Sequence, residues 1–84
     1  MCTKEITVRF KDGLTAQSAC FFIQKANEFN SQIWVEHKGH RVNAKSLLGI
    51  VSMGIVNEAA ITLIAEGSDE NEAVDALVRY CCGE

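Results

Sequence analysis

The sequence lacks proline entirely and has no apolar run of the roughly 20 residues that a membrane-spanning helix needs. With no proline and only 6 glycines among 84 residues, a long linker is not expected. A chain of this length forms one domain and buries roughly 60–65% of its unfolded surface. Hydrophobic residues make up 48% of the chain, which is enough for one compact core. We therefore expect a single domain over residues 1–84 that does not enter a membrane.

The sequence also lacks a cluster of basic residues. Its formal net charge is −3 at pH 7. Because phosphate backbones are bound by clustered lysine and arginine, nucleic acid is not an expected partner.

An export signal is missing as well. The first ten residues, M-C-T-K-E-I-T-V-R-F, are charged and alternating, whereas a signal peptide needs roughly 7–15 continuous apolar residues. The four cysteines are Cys2, Cys20, Cys81 and Cys82, and the last two are adjacent, which is poor geometry for an ordinary disulfide. Without an export signal, we expect reduced thiols and a cytoplasmic location.

Periodicity of the apolar residues predicts seven elements in the order β-α-β-β-α-β-α. Alternation predicts strands at 5–11, 32–37, 40–43 and 60–65. Helical spacing predicts helices at 15–29, at 46–53 and from 69 to a stop at Gly83. Thr15 and Ser46 are predicted N-caps, and Asp69 with Glu72 has the spacing of a capping box. The expected fold class is α+β, with three helices covering one side of a four-stranded antiparallel sheet.

Two residues on the other side of the sheet attract attention. By alternation, Trp34 and Ile64 point away from the predicted helices. If their strands are neighbours, they form an apolar spot on the open face. The spot is either an ordinary pair of exposed apolar residues or a homodimer contact.

Metal-ligating residue types are present, but their spacing is not typical of a metal site. His37 and His40 flank a predicted tight turn, and Cys81 and Cys82 lie at the end of the chain. H-x-x-H across a hairpin turn does not match the characteristic ligand spacings of structural zinc sites. We therefore expect neither a metal nor a cofactor.

Three stretches resemble HPr, the small phosphocarrier family of the bacterial phosphoenolpyruvate-dependent sugar phosphotransferase system. They are G-L-T-A-Q-S-A at 13–19, V-N-A-K-S-L-L-G-I-V-S-M-G at 42–54 and G-S-D-E-N-E-A-V-D-A-L at 67–77. The likeness covers nearly the whole chain and implies the HPr-like open-faced sandwich.

The first stretch departs from the family pattern G-[IL]-H-A-R-P-A at three positions. The resemblance places Thr15 at the phosphorylated histidine, Gln17 at the arginine and Ser18 at the proline. An imidazole is nucleophilic near neutral pH and is a good leaving group when phosphorylated, whereas a threonine ester is stable. Gln17 also lacks the planar fork with which arginine grips phosphate. The resemblance therefore implies no histidine-based relay and no enzymatic activity.

The second stretch keeps the family's regulatory serine, at Ser46. In the family this serine is phosphorylated by an ATP-dependent kinase that also removes the phosphate, and the phosphoprotein binds a LacI-type transcription regulator. A phosphate at an exposed helix N-terminus gains roughly 0.3–1 kcal/mol. The resemblance implies a partner-binding surface made of Lys45, Leu47, Leu48, Val51, Thr15, Gln17 and Cys20.

A histidine-less branch of the family, the catabolite repression HPr proteins, is similar in kind, although its members usually keep the arginine and the proline. Two functions follow as alternatives. The first is a regulatory phosphoprotein switched at Ser46. The second is an unmodified interaction module that binds a protein of the phosphotransferase system or another partner.

Overall fold

The computed structural model describes residues 1–11 and 13–82. Its strands are β1 (Cys2–Thr7), β2 (Gln32–His37), β3 (His40–Asn43) and β4 (Ala60–Glu66). Its helices are α1 (Ala16–Asn27), α2 (Leu47–Ser52) and α3 (Glu70–Cys81). The predicted order β-α-β-β-α-β-α is confirmed. No helix in the described residues is both long and apolar enough to cross a bilayer.

The strands form one antiparallel sheet in the order β1-β4-β2-β3. Inward residues of the strands and the apolar stripes of the helices share a single core on one side of the sheet. The largest fully buried members of this core are Phe22, Ile33, Ile50, Ile61, Leu63 and Leu77. The α+β class with helices on one side of the sheet is therefore confirmed.

The bounds of the first strand differ from the prediction of 5–11. Ile6 and Val8 are buried and Phe10 packs against the core, so the predicted alternation of burial is correct. Beyond Thr7, however, the backbone bonds to other segments: the Val8 amide donates to Ala59 at 2.9 Å and the Arg9 amide to Cys81 at 2.8 Å. Residues 8–10 therefore keep the alternation of buried and exposed side chains, but they are not part of strand β1.

The helix ends also shift slightly. Helix α1 stops at Asn27 rather than at residue 29, and its C-cap is Glu28. The predicted stop of the last helix at Gly83 lies outside the described residues.

The predicted capping box of α3 is wrong. Asp69 occupies the N-cap position, but its side chain makes no cap hydrogen bond. Its carboxylate instead accepts the Asn30 amide at 2.8 Å, the Ser31 amide at 2.9 Å and the Ser31 hydroxyl. These bonds tie the α1–β2 connection to the start of α3. They also hold the pKa of Asp69 below its ordinary value, with the Ser31 hydroxyl bond as the largest cause.

The open face of the sheet carries Trp34 and Ile64 side by side, because β2 and β4 are neighbours and these residues are register partners. The exposed apolar spot is nevertheless smaller than predicted. Ile64 is only 4% exposed, since it lies on an inner strand between Thr3 and Trp34, and Trp34 is half-buried.

Candidate functional site

The start of α1 is closed by two side chains that cap each other. The Thr15 hydroxyl accepts the Ser18 amide at 3.5 Å, and the Ser18 hydroxyl accepts the Thr15 amide at 2.9 Å. The two hydroxyl oxygens are 3.2 Å apart. This is a capping box, so the predicted N-cap at Thr15 is confirmed.

Sequence reasoning missed the contribution of Ser18. The sequence comparison identifies Ser18 only as the residue that stands in place of the family's proline. The T-x-x-S spacing of Thr15 and Ser18 was the available signal, since a polar residue at the third helical position can reach back to the cap. Proline at position 18 would have no N–H to give to Thr15. The hydroxyl at 15 and the serine at 18 therefore act together.

The surroundings of Thr15 are aromatic and shallow. A depression of about 290 Å³ is lined by Phe10, Lys11, Gly13, Thr15, Gln17, Ser18, Phe21 and Tyr80. Tyr80 donates its hydroxyl to the Ser18 carbonyl at 3.0 Å and stacks at a tilt on Phe10, with ring centroids 5.1 Å apart. Burial is the main cause of a raised pKa of Tyr80, which keeps it a neutral donor. Phe21 is 51% exposed and leaves an apolar edge facing solvent.

Two other predicted residues lie on the exposed side of α1. Gln17 is exposed and lines the same depression. Cys20 is exposed on the helix but is not among the residues that line it.

The loop before Thr15 is pressed against the loop that follows α2. The Leu14 amide donates to the Ile55 carbonyl at 2.9 Å. Gly13 has φ +72°, and a Cβ placed there would contact the Ile55 carbonyl and come within 2.8 Å of Val56 Cα. Only glycine fits without rearrangement, so the position of Thr15 depends on this close approach.

The start of α2 carries Ser46 as its N-cap, as predicted. The Ser46 hydroxyl accepts the Gly49 amide at 3.2 Å, and the residue is half-buried. Its own amide donates to the Asn43 carbonyl at 3.0 Å, which fixes the turn from β3 into the helix. A single side chain serves this cap, in contrast to the reciprocal pair at α1.

Large apolar side chains directly after Ser46 face solvent. Leu47 is 44% exposed, Leu48 is 81% exposed and Val51 is 39% exposed. The buried member of this short helix is Ile50, which anchors it to the core. Helix α2 thus presents an apolar surface next to a hydroxyl.

Lys45 lies beside Ser46, but its ammonium group is engaged elsewhere. Its Nζ donates to the Phe29 carbonyl at 2.9 Å, just beyond the end of α1, and the residue is half-buried. This contact was not predicted from the sequence, because it joins segments 16 residues apart.

The cysteines and histidines do not gather into one site. Among the described residues, no group of three or more His, Cys, Asp or Glu side chains is placed to hold a metal ion. Cys81 is fully buried, and burial raises the pKa of its thiol to about 12. That thiol therefore stays protonated and unreactive.

Comparison with known proteins identifies the family. Residues 2–81 match the family model described as PTS HPr component phosphorylation site. The chain is 46% identical over 80 residues to the HPr-like protein Crh of Halalkalibacterium halodurans, covering 95% of both chains. The structure matches that of the phosphocarrier protein HPr from Bacillus anthracis with a TM-score of 0.93, at 44% identity over 95% of both chains.

A further similar structure is that of Crh from Bacillus subtilis, described as a catabolite repression protein that forms a dimer with a swapping domain. Its TM-score is 0.81 at 42% identity, covering 100% of this chain and 97% of that one. A family-model match over nearly all of the sequence, together with these relatives, shows that the chain belongs to the HPr family of the phosphotransferase system.

Proposed function

We propose that this chain is a cytoplasmic regulatory member of the HPr family that cannot relay phosphate at position 15 and is switched by phosphorylation of Ser46. The observation that carries the proposal is the apolar surface beside Ser46, where Leu48 is 81% exposed. An exposed large apolar residue adjoining a modifiable hydroxyl is the arrangement expected of a surface read by another protein.

The chemistry at position 15 supports the first half of the proposal. The family resemblance places Thr15 where the relay histidine belongs, and the Thr15 hydroxyl is already paired with Ser18. A hydroxyl has neither the nucleophilicity nor the leaving ability of an imidazole at neutral pH. Gln17 supplies no guanidinium group to hold a phosphate.

The local geometry at Ser46 supports the second half. The Gly49 amide already donates to the Ser46 oxygen at 3.2 Å, and a phosphate there would offer several acceptors to the same amide. Lys45 is adjacent, and although one of its N–H groups reaches Phe29, an ammonium group has three donors. The modification can therefore keep the helix cap while adding negative charge beside Leu47 and Leu48.

The proposed partners are the family's bifunctional kinase and phosphorylase, and a LacI-type transcription regulator. The recognition surface would comprise Lys45, Leu47, Leu48 and Val51 on α2 and, from α1, Thr15, Gln17 and Cys20. Packing of α1 against α2 keeps these two helices together.

The test is incubation of the full chain with that kinase and ATP, followed by measurement of the intact mass. We expect a gain of one phosphate, which disappears in Ser46→Ala. Ser52→Ala is the matched control, because Ser52 lies at the other end of α2 and donates its hydroxyl to the Gly49 carbonyl. Ser52→Ala should be modified like the wild type.

A second candidate function is the unmodified interaction module. The half-buried state of Ser46 and the use of its hydroxyl as a cap favour this alternative. An unmodified mass in the kinase experiment, with an HPr control modified normally, would overturn the phosphoprotein proposal and support the module.

A second copy of this chain is also a proposed partner, because the Bacillus subtilis Crh structure is described as a dimer. On the open face, Trp34 would make most of the contact, since Ile64 is almost fully covered. Sedimentation of the wild type and Trp34→Ala over a concentration range tests this contact. The open-face contact predicts a weaker dimer for Trp34→Ala; identical behaviour of both proteins contradicts it.

A further inference from the structure

Two histidines face each other across the tight turn between β2 and β3. His37 and His40 are register partners that close the turn made by Lys38 and Gly39. Both turn residues have positive φ, +51° and +79°, as a type I′ hairpin requires. Side chains directly opposite in an antiparallel pair point to the same face, with Cβ atoms about 4.5–5.5 Å apart. The hairpin therefore places both side chains on the helix-covered side of the sheet, with His37 buried and His40 exposed at its edge.

The ring of His37 is held in a defined orientation. His37 is 9% exposed, and its Nδ1 lies 3.1 Å from the Ala60 carbonyl oxygen. Because a carbonyl can only accept, Nδ1 carries the hydrogen and Nε2 of the neutral ring keeps its lone pair. Histidines that bind metals almost always donate their other ring N–H to a carbonyl or carboxylate in this way.

Both histidines are among the residues that border one open depression. It has a volume of about 390 Å³ and is lined by His37, Lys38, His40, Val42, Ser52 and Met53. Met53 is half-buried and offers a thioether, while the Ser52 hydroxyl is engaged with the Gly49 carbonyl at 2.8 Å. The site thus holds two nitrogen donors, has room for water, and adjoins the C-terminal end of α2.

We propose that His37 and His40 form a two-imidazole binding site for a late first-row divalent metal ion. Imidazole nitrogen suits nickel, copper and zinc, whereas calcium and magnesium prefer oxygen ligands. His37 binds through Nε2, His40 supplies the second nitrogen, and water completes the coordination. The Lys38 charge opposes a cation at this place, so the site exchanges its ion with solution and is not a structural centre.

The test uses Ni²⁺ as the probe and the full chain without an affinity tag, with its thiols kept reduced. Nuclear magnetic resonance spectra are recorded as Ni²⁺ is added. We expect loss of amide signals centred on residues 37–42, Ser52, Met53 and Ala60, which surround the site, saturating at one ion per chain. Loss of a group that hydrogen-bonds a metal ligand lowers metal affinity by about tenfold or more, and loss of the ligand itself should lower it at least as much. His40→Asn should therefore weaken Ni²⁺ binding by at least about tenfold.

Single substitutions distinguish Ni²⁺ binding at this histidine pair from Ni²⁺ binding by other side chains. His37→Asn removes the nitrogen ligand while its amide can still donate to Ala60, and it should also weaken binding. Lys38→Asn tolerates the positive φ and should bind Ni²⁺ at least as well as the wild type. Cys20→Ser should bind like the wild type. The proposal is overturned if no binding is seen, if binding survives both histidine substitutions, or if it is lost in Cys20→Ser.

Discussion

The starts of α1 and α2 are both capped by a hydroxyl, yet the two regions differ in what surrounds the cap. At α1, Thr15 and Ser18 satisfy each other's backbone amides. At α2, Ser46 caps alone, and exposed Leu47 and Leu48 follow it. The comparison teaches that a helix start alone does not define a site. The first cap is closed by two hydroxyls that pair with each other, whereas the second places a single capping hydroxyl beside exposed apolar side chains.

The largest expected effect comes from introducing the family's histidine, arginine and proline at the start of α1. We expect the triple variant Thr15→His, Gln17→Arg, Ser18→Pro to accept phosphate from phosphoenolpyruvate through the first enzyme of the system. The imidazole supplies the nucleophile, and the guanidinium supplies the phosphate contact. Labelling with radioactive phosphoenolpyruvate measures this change. Thr15→His alone should gain much less, and equal labelling of both variants would show that Gln17 and Ser18 are irrelevant.

The next largest effect concerns the glycines beside the two regions. Gly13→Ala should destabilise the fold by about 3 kcal/mol or more, since its Cβ meets the backbone at Ile55 and Val56 in addition to the positive-φ penalty. Gly54→Ala should cost only about 1 kcal/mol, because Gly54 shares a positive φ but has no atoms within 4 Å of an added Cβ. Urea unfolding gives both values. Equal costs would contradict the close approach that positions Thr15.

A smaller effect is expected from removing the reciprocal cap. Thr15→Ala should lower the free energy of unfolding by about 1 kcal/mol, the usual cost of losing a cap. Ser18→Ala should cost a similar amount, because it removes the acceptor for the Thr15 amide. In the double variant the two losses should not add, with a coupling of roughly 0.5 kcal/mol or more. Full additivity, measured by chemical denaturation, would mean that the two side chains act independently.

The smallest effect is expected at the second region. Ser46→Asp should change the free energy of unfolding by no more than about 0.5 kcal/mol, because aspartate caps a helix as well as serine does. The same denaturation measurement applies. A loss well above 1 kcal/mol would mean that negative charge at this place disturbs the helix, which argues against Ser46 as a switch.

Local pattern predicted most of the fold. Strands β2 and β3 match their predicted bounds, because alternation and a two-residue turn at Lys38 and Gly39 fix both ends. The first strand does not match. Residues Cys2 to Lys4 belong to an edge strand and are mostly exposed, so they lack the apolar alternation that predicts a strand. After Thr7, the backbone bonds to segments far away in sequence, which local pattern does not reveal.

Long-range contacts account for what the sequence could not show at the sites. Asp69 has the spacing of a cap, but its carboxylate is taken by Asn30 and Ser31, which lie 38 or 39 residues away. The Lys45 contact with Phe29 is of the same kind. The two capping hydroxyls, by contrast, were predictable because their partners lie three residues along the chain.

The most direct test of the account is phosphate transfer by the unaltered chain. The protein is incubated with labelled phosphoenolpyruvate, the first enzyme of the sugar phosphotransferase system and a sugar-specific acceptor, beside an HPr that carries the histidine. We predict that the HPr delivers label to the acceptor and that this chain delivers none. Delivery of label by this chain would contradict the claim that its first helix start is closed to phosphate relay.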